Sequence, residues 1–333
     1  MDALVTDAHI HSAVWGIRAL GRAGVRAVAL GPDRAAPGLW SRHAAGRVVG
    51  PYAERDPEGY ARAVASLIQR RGPLVVYPSQ EESIDALLAA RAELPAAAVL
   101  PYPPSERLAS IRDKRSLAEW AAEYAIATPA TVCEATAAEL RLLHIDGPCV
   151  VKPVRKSAMA VARVVRTNGA LRSAIAGVPP DEPLIVQRHA EGGLMALSFV
   201  MSRDGRLVAS FQQRARRTWP PEAGPSSLAV SVPVDDALSR ACARLLAGAG
   251  FFGLIQLQFV GPDASPLLID ANPRFYGSLP LALAAGVNLP ALWHAVVVGG
   301  ELPPSPPLYR AGVTYRHLEP SCLRRSTGGR GWC

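Results

Sequence analysis

Short apolar runs alternate with amphipathic stretches in the N-terminal part of the chain. The runs at Ala3 to Asp7, Val25 to Leu30 and Pro73 to Pro78 predict strands. Apolar residues at helical spacing follow the first run, in HSAVWGIRALGRAG, and the third, in EESIDALLAARAEL. Strands that alternate with helices predict a small parallel sheet with helices on both faces and a ligand near the strand ends. Gln80 and Glu81 stand just past the third strand, where they either face that ligand or begin a helix whose N-terminus favours acids.

The pattern becomes helical from about Ser105, where ERLASIRDKRSLAEWAAEYAI predicts a helical connector that Pro129 stops. Beyond the connector, short apolar runs separated by turn residues predict an antiparallel α+β region; they are PCVVKP, AVARVV, PLIVQRH, LMALSFV and RLVASFQQR. The helix VDDALSRACARLLAGAG precedes two further strands, FFGLIQLQFV and LLIDAN, which the turn GPDASP joins. The C-terminal segment is rich in Pro, Gly and Arg and predicts a poorly ordered tail.

Composition narrows the class of protein. A chain of 333 residues with 49% hydrophobic and 19% charged residues can bury sizeable cores in two or three domains. The net charge of +8 is spread along the chain without a nucleic-acid-binding motif, so we expect a phosphorylated small molecule as partner and no nucleic acid. The 5 cysteines form no CxxC pair and are interpreted as passive thiols.

The sequence also bears on location. No apolar run of about 18 residues predicts a membrane span, and the chain starts MDALVTDAHIHS, with an acid where a signal peptide has basic residues. We therefore expect a cytoplasmic protein without a membrane partner. The sequence leaves the oligomeric state open.

An acid, an amide and an arginine end the last predicted strand, in LLIDANPRFYGSLPLALAAGVNLP. Asp270 and Asn272 point to one face of the strand because side chains alternate, and Gln256 or Gln258 on the preceding strand faces the same way. Oxygen ligands of this kind suit Mg²⁺, which shares its shell with substrate phosphates. Arg274 adds a planar fork for phosphate or carboxylate.

Each of these signals has a plainer interpretation when taken alone. A DxN motif before proline is often a strand end with an Asx turn. Lys152 ends the apolar run PCVVKP, where it either reaches a nucleotide phosphate or lies on the solvated surface.

The order of the parts favours the functional interpretation. A βαβ domain, the DKRSLAEWAAEYAIATPAT connector, VVKP, VQRHAEGG, GLIQLQF and LIDANPRFYGS resemble the ATP-grasp superfamily over nearly the whole chain. The similarity is greatest to carboxylate-amine ligase-like members, in which this strand and loop run as an acid, any residue, Asn-Pro-Arg-Phe, an aromatic residue and Gly-Ser. LIDANPRFYGSLPLALAAGVNLP with QLQF upstream is the specific part of the match, and VVKP and the DK connector support it.

The resemblance implies an ATP-grasp fold, of mixed α/β and α+β class. Residues 1–104 would form a βαβ pre-ATP-grasp domain, 105–190 a first α+β subdomain with the connector, and 191–318 a second subdomain with the metal site; 319–333 would be a disordered tail. It implies an ADP-forming ligase in which a carboxylate attacks the γ-phosphate of ATP and an amine or thiol then displaces phosphate from the acylphosphate. The expected cofactors are ATP and Mg²⁺, with Mn²⁺ as a second possible ion, and the expected acid is amino-acid-like.

The resemblance also implies roles near the nucleotide. Lys152 matches the family lysine at the α- and β-phosphates, and Lys114 matches another basic residue near the nucleotide. Gln187 to Gly192 matches the segment that meets adenine and ribose, so that the nucleotide contacts would come from Gln187, Arg188, His189 and Glu191.

Further roles concern the metal and the transferred phosphate. Gln258, Asp270 and Asn272 match metal positions, and Arg274 matches the arginine on the transferring phosphate. Gln212 to Ser227 resembles an arginine-rich loop that covers phosphates or substrate, with Arg216 as its main candidate. This segment is too punctuated to be a strand or helix throughout, so we expect a mobile loop that closes over the acylphosphate.

Departures from the family pattern leave an alternative open. Asp270 stands where the family usually has Glu, Arg188 where an acid is common, and Gly193 where a ribose-binding Glu is frequent. A degenerate ATP-grasp protein that binds nucleotide or amino acid without catalysis is therefore the main competitor. A Ser/His/Asp hydrolase lacks its GxSxG motif, and we interpret His9 and His11 as loop residues and not as a metal pair or catalytic base.

Overall fold

A five-stranded parallel sheet organises the N-terminal part of the computed structural model, which describes residues 1–154, 162–221 and 224–317. Its strand order is β3-β2-β1-β4-β5, with bounds β1 Asp2–Val5, β2 Ala27–Gly31, β3 Ala44–Val49, β4 Leu74–Tyr77 and β5 Ala98–Val99. The helices that connect these strands are α1 His11–Arg22, α2 Pro57–Arg71 and α3 Glu81–Ala89. The βαβ pattern therefore predicted this sheet correctly.

The strand order reverses between β1 and β4. Ligands of open parallel sheets lie outside the carboxyl ends of the strands at such a reversal. Asp7 holds the two strand ends together, because its buried carboxylate accepts hydrogen bonds from the Ser79 amide at 2.8 Å and the Ser83 hydroxyl at 2.7 Å. A ligand of this sheet would therefore lie beside the residues that follow β1 and β4.

The connector is two helices and not one, α4 Ser105–Arg112 and α5 Lys114–Glu123. Asp113 separates them, and its carboxylate accepts hydrogen bonds from the Arg115 and Ser116 amides at 3.0 and 3.1 Å, which caps α5. The second helix ends at Glu123, before Pro129, and Ala125 beyond it has a φ of 56°. The expectation that Pro129 ends the helix is therefore wrong.

A four-stranded antiparallel sheet follows the connector. Its order is β6-β9-β7-β8, with bounds β6 Thr131–Thr136, β7 Cys149–Pro153, β8 Arg163–Val165 and β9 Pro183–Arg188. The helices α6 Ala137–Leu140 and α7 Asn168–Ile175 pack on it around a small separate core. The sequence pattern did not predict β6, whose half-exposed residues give no clear alternation.

A six-stranded antiparallel sheet forms the C-terminal part, in the order β14-β13-β10-β11-β12-β15. Its strands are β10 Gly193–Met201, β11 Leu207–Thr218, β12 Ser226–Val232, β13 Gly253–Gly261, β14 Leu267–Asn272 and β15 Thr314–Arg316. The helices of this part are α8 Asp236–Gly248, α9 Leu279–Ala285 and α10 Leu289–Val298. One apolar core joins this sheet to the parallel sheet and contains Tyr77, Phe275 and Trp293.

The arginine-rich segment is mostly strand. Gln212 to Thr218 lies in β11 and Ser226 begins β12, so residues 219–225 connect the two strands. Gln212 and Gln213 are buried, which contradicts the expectation of a mobile loop over the whole segment. A regular ladder forms because β11 pairs with β10 on one side and with β12 on the other.

Other expectations fall on residues that the structure does not describe. The predicted tail, residues 319–333, lies within this part of the chain. The division of the chain at residues 104, 190 and 318 stays a prediction.

Within the described ranges, no single helix is long and apolar enough to cross a membrane. The bent pair α9 and α10, with axes 96° apart, passes that test by length and composition only.

Gly192 lies between β9 and β10, where the chain passes from one antiparallel sheet to the other. Its φ is 134°, and a Cβ there would lie 2.3 Å from the carbonyl carbon of Gly261. Gly192→Ala should lower the free energy of unfolding by about 2 kcal/mol or more, because it adds backbone strain and a clash. Gly193→Ala is the matched control, since its Cβ would meet nothing within 4 Å. Urea unfolding of both variants measures the difference, and equal stabilities would contradict the tight junction.

Candidate functional site

Two antiparallel strands carry the predicted oxygen donors. In the register of β13 and β14, Gln256 lies opposite Asn272 and Gln258 opposite Asp270. The Asn272 amide donates to the Asp270 carboxylate at 3.3 Å, and the Gln258 amide donates to the Gln256 oxygen at 3.5 Å. The predicted pairing of these strands is therefore confirmed, and the four side chains share one face of the sheet.

The donor set decides what kind of metal these residues could hold. It contains one carboxylate, from Asp270, together with amide oxygens. Among the residues that the structure describes, no group of three or more His, Cys, Asp or Glu could hold a metal ion. A protein-only metal cage is not formed by this set, but Mg²⁺ commonly takes one or two carboxylates and completes its shell with phosphates and water. The residues fit a metal that is shared with a polyphosphate.

Lys152 brings the four-stranded sheet to this edge. Its Nζ donates to the Ile269 carbonyl at 2.9 Å, next to Asp270. The residue is 7% exposed, so the alternative that it lies on the solvated surface is wrong. Pro153 and Val154, which follow it, are also buried and carry the chain over the lysine stem.

A second buried lysine lies close to the first. Lys114 begins α5, is 9% exposed, and its Nζ donates to the Val154 carbonyl at 3.4 Å. The pKa of Lys152 is lowered to about 8, chiefly by burial and then by the charge of Lys114, while Asp270 opposes the shift. Two cations held together away from water favour an anion between them. The pair therefore suits the phosphates of a nucleotide.

Arg274 lies at the end of β14 in a fixed orientation. Its Nε donates to Glu81 at 2.8 Å, one terminal nitrogen donates to the Phe275 carbonyl at 3.1 Å, and the other to the Asn272 oxygen at 3.2 Å. A guanidinium has five N–H donors, so two remain for an anion. Arg274 can therefore hold a phosphate or carboxylate in bidentate fashion beside the predicted metal site.

In the segment predicted to contact adenine and ribose, two of the four candidate side chains already contact other parts of the protein. The Gln187 side chain donates to the Pro129 carbonyl at 3.5 Å and the Thr131 hydroxyl at 3.4 Å, so it holds strands together. Arg188 forms an ion pair with Asp146 at 2.8 Å. His189 is partly buried, and Glu191 is exposed. These four residues lie at the end of β9. The side chains of the first two, Gln187 and Arg188, already have protein partners.

Arg216 lies at an irregularity of β11. The register with β12 shifts between Ala215 and Arg217, and such a bulge redirects a side chain. Within the described part of the chain, Arg214 pairs with Asp263 and Arg217 donates to Ser227 at 3.0 Å, whereas exposed Arg216 forms no hydrogen bond or ion pair. Of the three arginines, Arg216 is the one left for a ligand.

A buried polar patch escaped the sequence analysis. The Gln213 oxygen and the Gln256 amide nitrogen are buried and lack a hydrogen-bond partner among the described residues, and the buried hydroxyls of Ser198 and Tyr276 lie beside each other. Gln213 lies on the same face of the sheet as Asp270, because it pairs with Ala196 of β10, which in turn pairs with Gln258. Gln256 lies two residues before Gln258 on β13 and therefore shares that face. Alternation of β10 could have indicated Ser198, but nothing in the sequence brings Tyr276 over it.

The role of Glu81 was also incompletely predicted. The sequence placed it either toward a ligand or at a helix N-terminus, and the structure shows it at the start of α3. Its carboxylate pairs with Arg274 and with Arg112 of α4, both at 2.8 Å. No local signal links Glu81 to Arg274, because 193 positions separate them in the chain.

The two N-terminal histidines differ from each other. His9 lies in the segment after β1 and packs edge-on against Tyr52. His11 begins α1, so its assignment to a loop is wrong. Its Nε2 contacts the Tyr315 hydroxyl at 2.7 Å, and burial together with the charges of His317 and Arg18 lowers its pKa to about 4. A neutral ring there joins α1 to β15.

A family model matches the C-terminal part of the chain. Residues 181–320, less than half of the chain, match a family model described as ATP-grasp in the biosynthetic pathway with Ter operon. No curated protein matches the sequence. The matched residues contain the polar ends of β13 and β14 but not Lys114 or Lys152.

Solved structures match over most of the chain. Biotin carboxylase of Campylobacter jejuni has a TM-score of 0.71 at 13% identity, over 91% of this chain and 72% of that one. The L-amino acid ligase of Bacillus licheniformis has a TM-score of 0.68 at 16% identity, over 90% and 74%. The biotin carboxylase domain of Hydrogenobacter thermophilus 2-oxoglutarate carboxylase, solved with MgADP and bicarbonate, has a TM-score of 0.70 at 12% identity, over 94% and 73%. The predicted resemblance to the ATP-grasp superfamily and the predicted fold are confirmed.

Lys152→Ala tests the cationic pair. At pH 7 a lysine with a pKa of about 8 is mostly protonated, so its loss should weaken nucleotide binding by about 1–3 kcal/mol, the scale of a charge-assisted hydrogen bond. Calorimetric titration with MgADP measures the effect. Arg172→Ala removes an exposed positive charge of α7 and is the control. Equal affinities of the two variants would place Lys152 outside the nucleotide site.

Proposed function

Because this chain has the ATP-grasp fold, we propose that it is an ATP-dependent ligase that activates a carboxylate as an acylphosphate. ATP and a divalent ion, Mg²⁺ or Mn²⁺, would bind between the four-stranded and six-stranded sheets. The acid substrate would lie between Arg274 and the crevice at the ends of β1 and β4. An amine or a thiol would then take the acyl group.

The observation that carries this proposal is the meeting of opposite charges at the end of β14. Lys152 reaches that strand from the four-stranded sheet, and Asp270, Asn272 and Arg274 end it. Cations suited to phosphate and oxygens suited to a metal therefore lie at the end of the same strand. Phosphoryl transfer requires chiefly positioning and charge neutralisation, and this arrangement supplies both without a nucleophilic side chain.

The reaction divides into two displacements. A carboxylate oxygen attacks the γ-phosphorus, and the bond from that phosphorus to the bridging oxygen breaks, so that ADP leaves. The amine nitrogen or thiol sulfur then attacks the acyl carbon, phosphate leaves with the C–O bonding pair, and the nucleophile loses a proton. Arg274 would hold the transferred phosphate through its two remaining N–H groups, and the lysines would hold the nucleotide phosphates. The divalent ion would neutralise charge on the phosphates, with Asp270, Asn272 and Gln258 as its protein ligands.

The class of acid follows from the surroundings of Arg274. A guanidinium suits a carboxylate, and the polar patch of Ser198, Gln213, Gln256 and Tyr276 lies on the sheet face beside it without a formal charge. An L-amino acid ligase is among the structural neighbours, at 16% identity. An amino-acid-like carboxylate is the substrate class that these features support together.

Binding without catalysis is the second candidate, and the nucleotide contacts favour it. The side chain of Gln187 is occupied by Pro129 and Thr131, and Gly193 offers no acid to a ribose. Arg188, however, pairs with Asp146 and so does not leave a free positive charge at the hinge. Incubation of the purified protein with ATP, Mg²⁺ and pools of amino acids distinguishes the two. Phosphate release with a product of matching mass supports the ligase, and nucleotide binding without turnover supports the alternative.

Asp270→Asn tests the metal site. The substitution keeps the shape of the side chain and removes the carboxylate that the oxygen set contains, so Mg²⁺-dependent ATP turnover should fall below detection. Phosphate release measures turnover, and circular dichroism verifies the fold. Asp181→Asn, at an exposed acid before β9, is the control and should keep wild-type turnover. Near wild-type turnover of Asp270→Asn would refute the metal assignment.

Arg216→Ala tests the covering role of the β11–β12 hairpin. The variant should lower product formation more than nucleotide affinity and raise ATP hydrolysis without product, because water would reach the acylphosphate. Arg214→Ala is the control, since Arg214 already pairs with Asp263.

Hydrogen exchange adds a readout that needs no product. Gln212 to Arg214 pair with strands on both sides, so their amides should exchange slowly at all times. The connection after Thr218 should exchange more slowly once nucleotide, Mg²⁺ and acid are present. Exchange there that ignores all ligands would make the hairpin purely structural.

A further inference from the structure

The ion pair between Glu81 and Arg274 joins the N-terminal sheet to the end of β14. Glu81 is the first residue of α3, and its side chain is 7% exposed. One of its oxygens accepts from Nε of Arg274 and the other from Nε of Arg112, each at 2.8 Å. The carboxylate therefore lies between two guanidinium groups and is almost excluded from water.

Arg112 fixes the opposite side of this carboxylate. Its two terminal nitrogens donate to the two oxygens of Asp85 at 2.6 and 3.0 Å, a bidentate pair between α4 and α3. Burial alone would lower the pKa of Arg112, but the hydrogen bonds and charges of Asp85 and Glu81 raise it above its ordinary value. Arg112 and Arg274, the two residues that contact Glu81, are charged and are each fixed by further hydrogen bonds. The carboxylate of Glu81 therefore has little freedom to turn.

We propose that Glu81 is a positioning residue that sets the plane of the Arg274 guanidinium for the reaction. The inference rests on the proposed function. Glu81 takes the Nε–H of Arg274, and the Phe275 carbonyl and Asn272 take one N–H each, so one N–H on each terminal nitrogen is left for an anion. Glu81 itself is not a base for substrate, because both its oxygens already accept from arginines.

Electrostatics gives a second reason for this pairing. Arg274 also contacts Asn272, whose amide lies 3.3 Å from the Asp270 carboxylate. Without Glu81, the nearest acid on β14 is Asp270, which would draw the guanidinium toward the predicted metal ligand. Glu81 therefore keeps Arg274 at the transferred phosphate and keeps Asp270 available for the metal.

Glu81→Gln is the decisive variant, because glutamine has one acceptor oxygen where Glu81 needs two. Its amide nitrogen would face the N–H of one arginine, so one of the two contacts must break. Glu82→Gln is the matched control, since it removes the same charge from the next position of α3. Thermal unfolding of both variants shows how much stability each loses.

The first readout is independent of activity. In ¹⁵N-labelled protein, the Nε–H of Arg274 should give a signal protected from solvent exchange, assigned by its loss in Arg274→Lys. We expect that signal in the wild type and in Glu82→Gln and its loss or rapid exchange in Glu81→Gln. A signal that is unchanged in Glu81→Gln overturns the proposal, whether or not the protein turns over ATP.

The second readout separates positioning from folding. If an acid substrate supports turnover, Glu81→Gln should lower kcat by about ten- to a hundredfold, the scale of a misplaced group, while MgADP affinity stays within about twofold. An unchanged kcat, or equal losses in both glutamine variants, overturns the proposal. If the wild type binds nucleotide and releases no phosphate, the proposed function fails, and the Nε–H signal alone decides whether Glu81 orients Arg274.

Discussion

The aromatic contact between the N-terminal sheet and the end of β14 is the constraint on which the site depends. Phe275 stacks on Tyr77 of β4 with ring centroids 5.6 Å apart, and Trp293 of α10 meets both rings edge-on. A Cβ at Gly16 of α1 would lie 2.3 Å from the Phe275 ring, so the helix approaches it as closely as glycine allows. Since Phe275 directly follows Arg274, the packing of this core fixes where the guanidinium begins. The polar contacts of Arg274 then need to set only its orientation.

The four-stranded sheet, which carries Lys152, packs around a smaller apolar core than the other two sheets. The four-stranded sheet has its own small core, and Lys152 connects it to β14 by one hydrogen bond to the Ile269 carbonyl. Burial of Lys152 beside Lys114 disfavours the charged form, as the lowered pKa near 8 shows. An anion between the sheets would reverse that cost. A polyphosphate bound there would therefore favour the packing of the four-stranded sheet on β14 through the same two cations.

The sequence pattern predicted the structural features that depend on residues close together in the chain. Alternation of strands and helices gave the parallel sheet, and the short turn GPDASP gave the pairing that puts Asp270 opposite Gln258. The sequence left the solvated surface open for Lys152, because local pattern cannot show that a strand end is buried against another sheet. Only the end of β11, Gln212 to Thr218, was taken for a loop, because the proline-rich turn that follows it hides the pairing of these residues with a neighbouring strand. The contact between Glu81 and Arg274 depends on three elements that are distant in sequence, and no periodicity encodes it.

The shorter acid at position 270 has a structural counterpart in the backbone. In the pairing of β13 and β14, Gln258 lies opposite Asp270, whereas the next residue, Phe259, lies opposite Leu268, so Ile269 has no partner. Such an extra residue bends its strand and redirects the side chains beside it. The carbonyl of this same residue accepts the hydrogen bond of Lys152, which holds the bend in place. Where a glutamate would reach the metal with one more methylene, this strand displaces its backbone at the neighbouring position. The aspartate therefore does not by itself argue for a degenerate site.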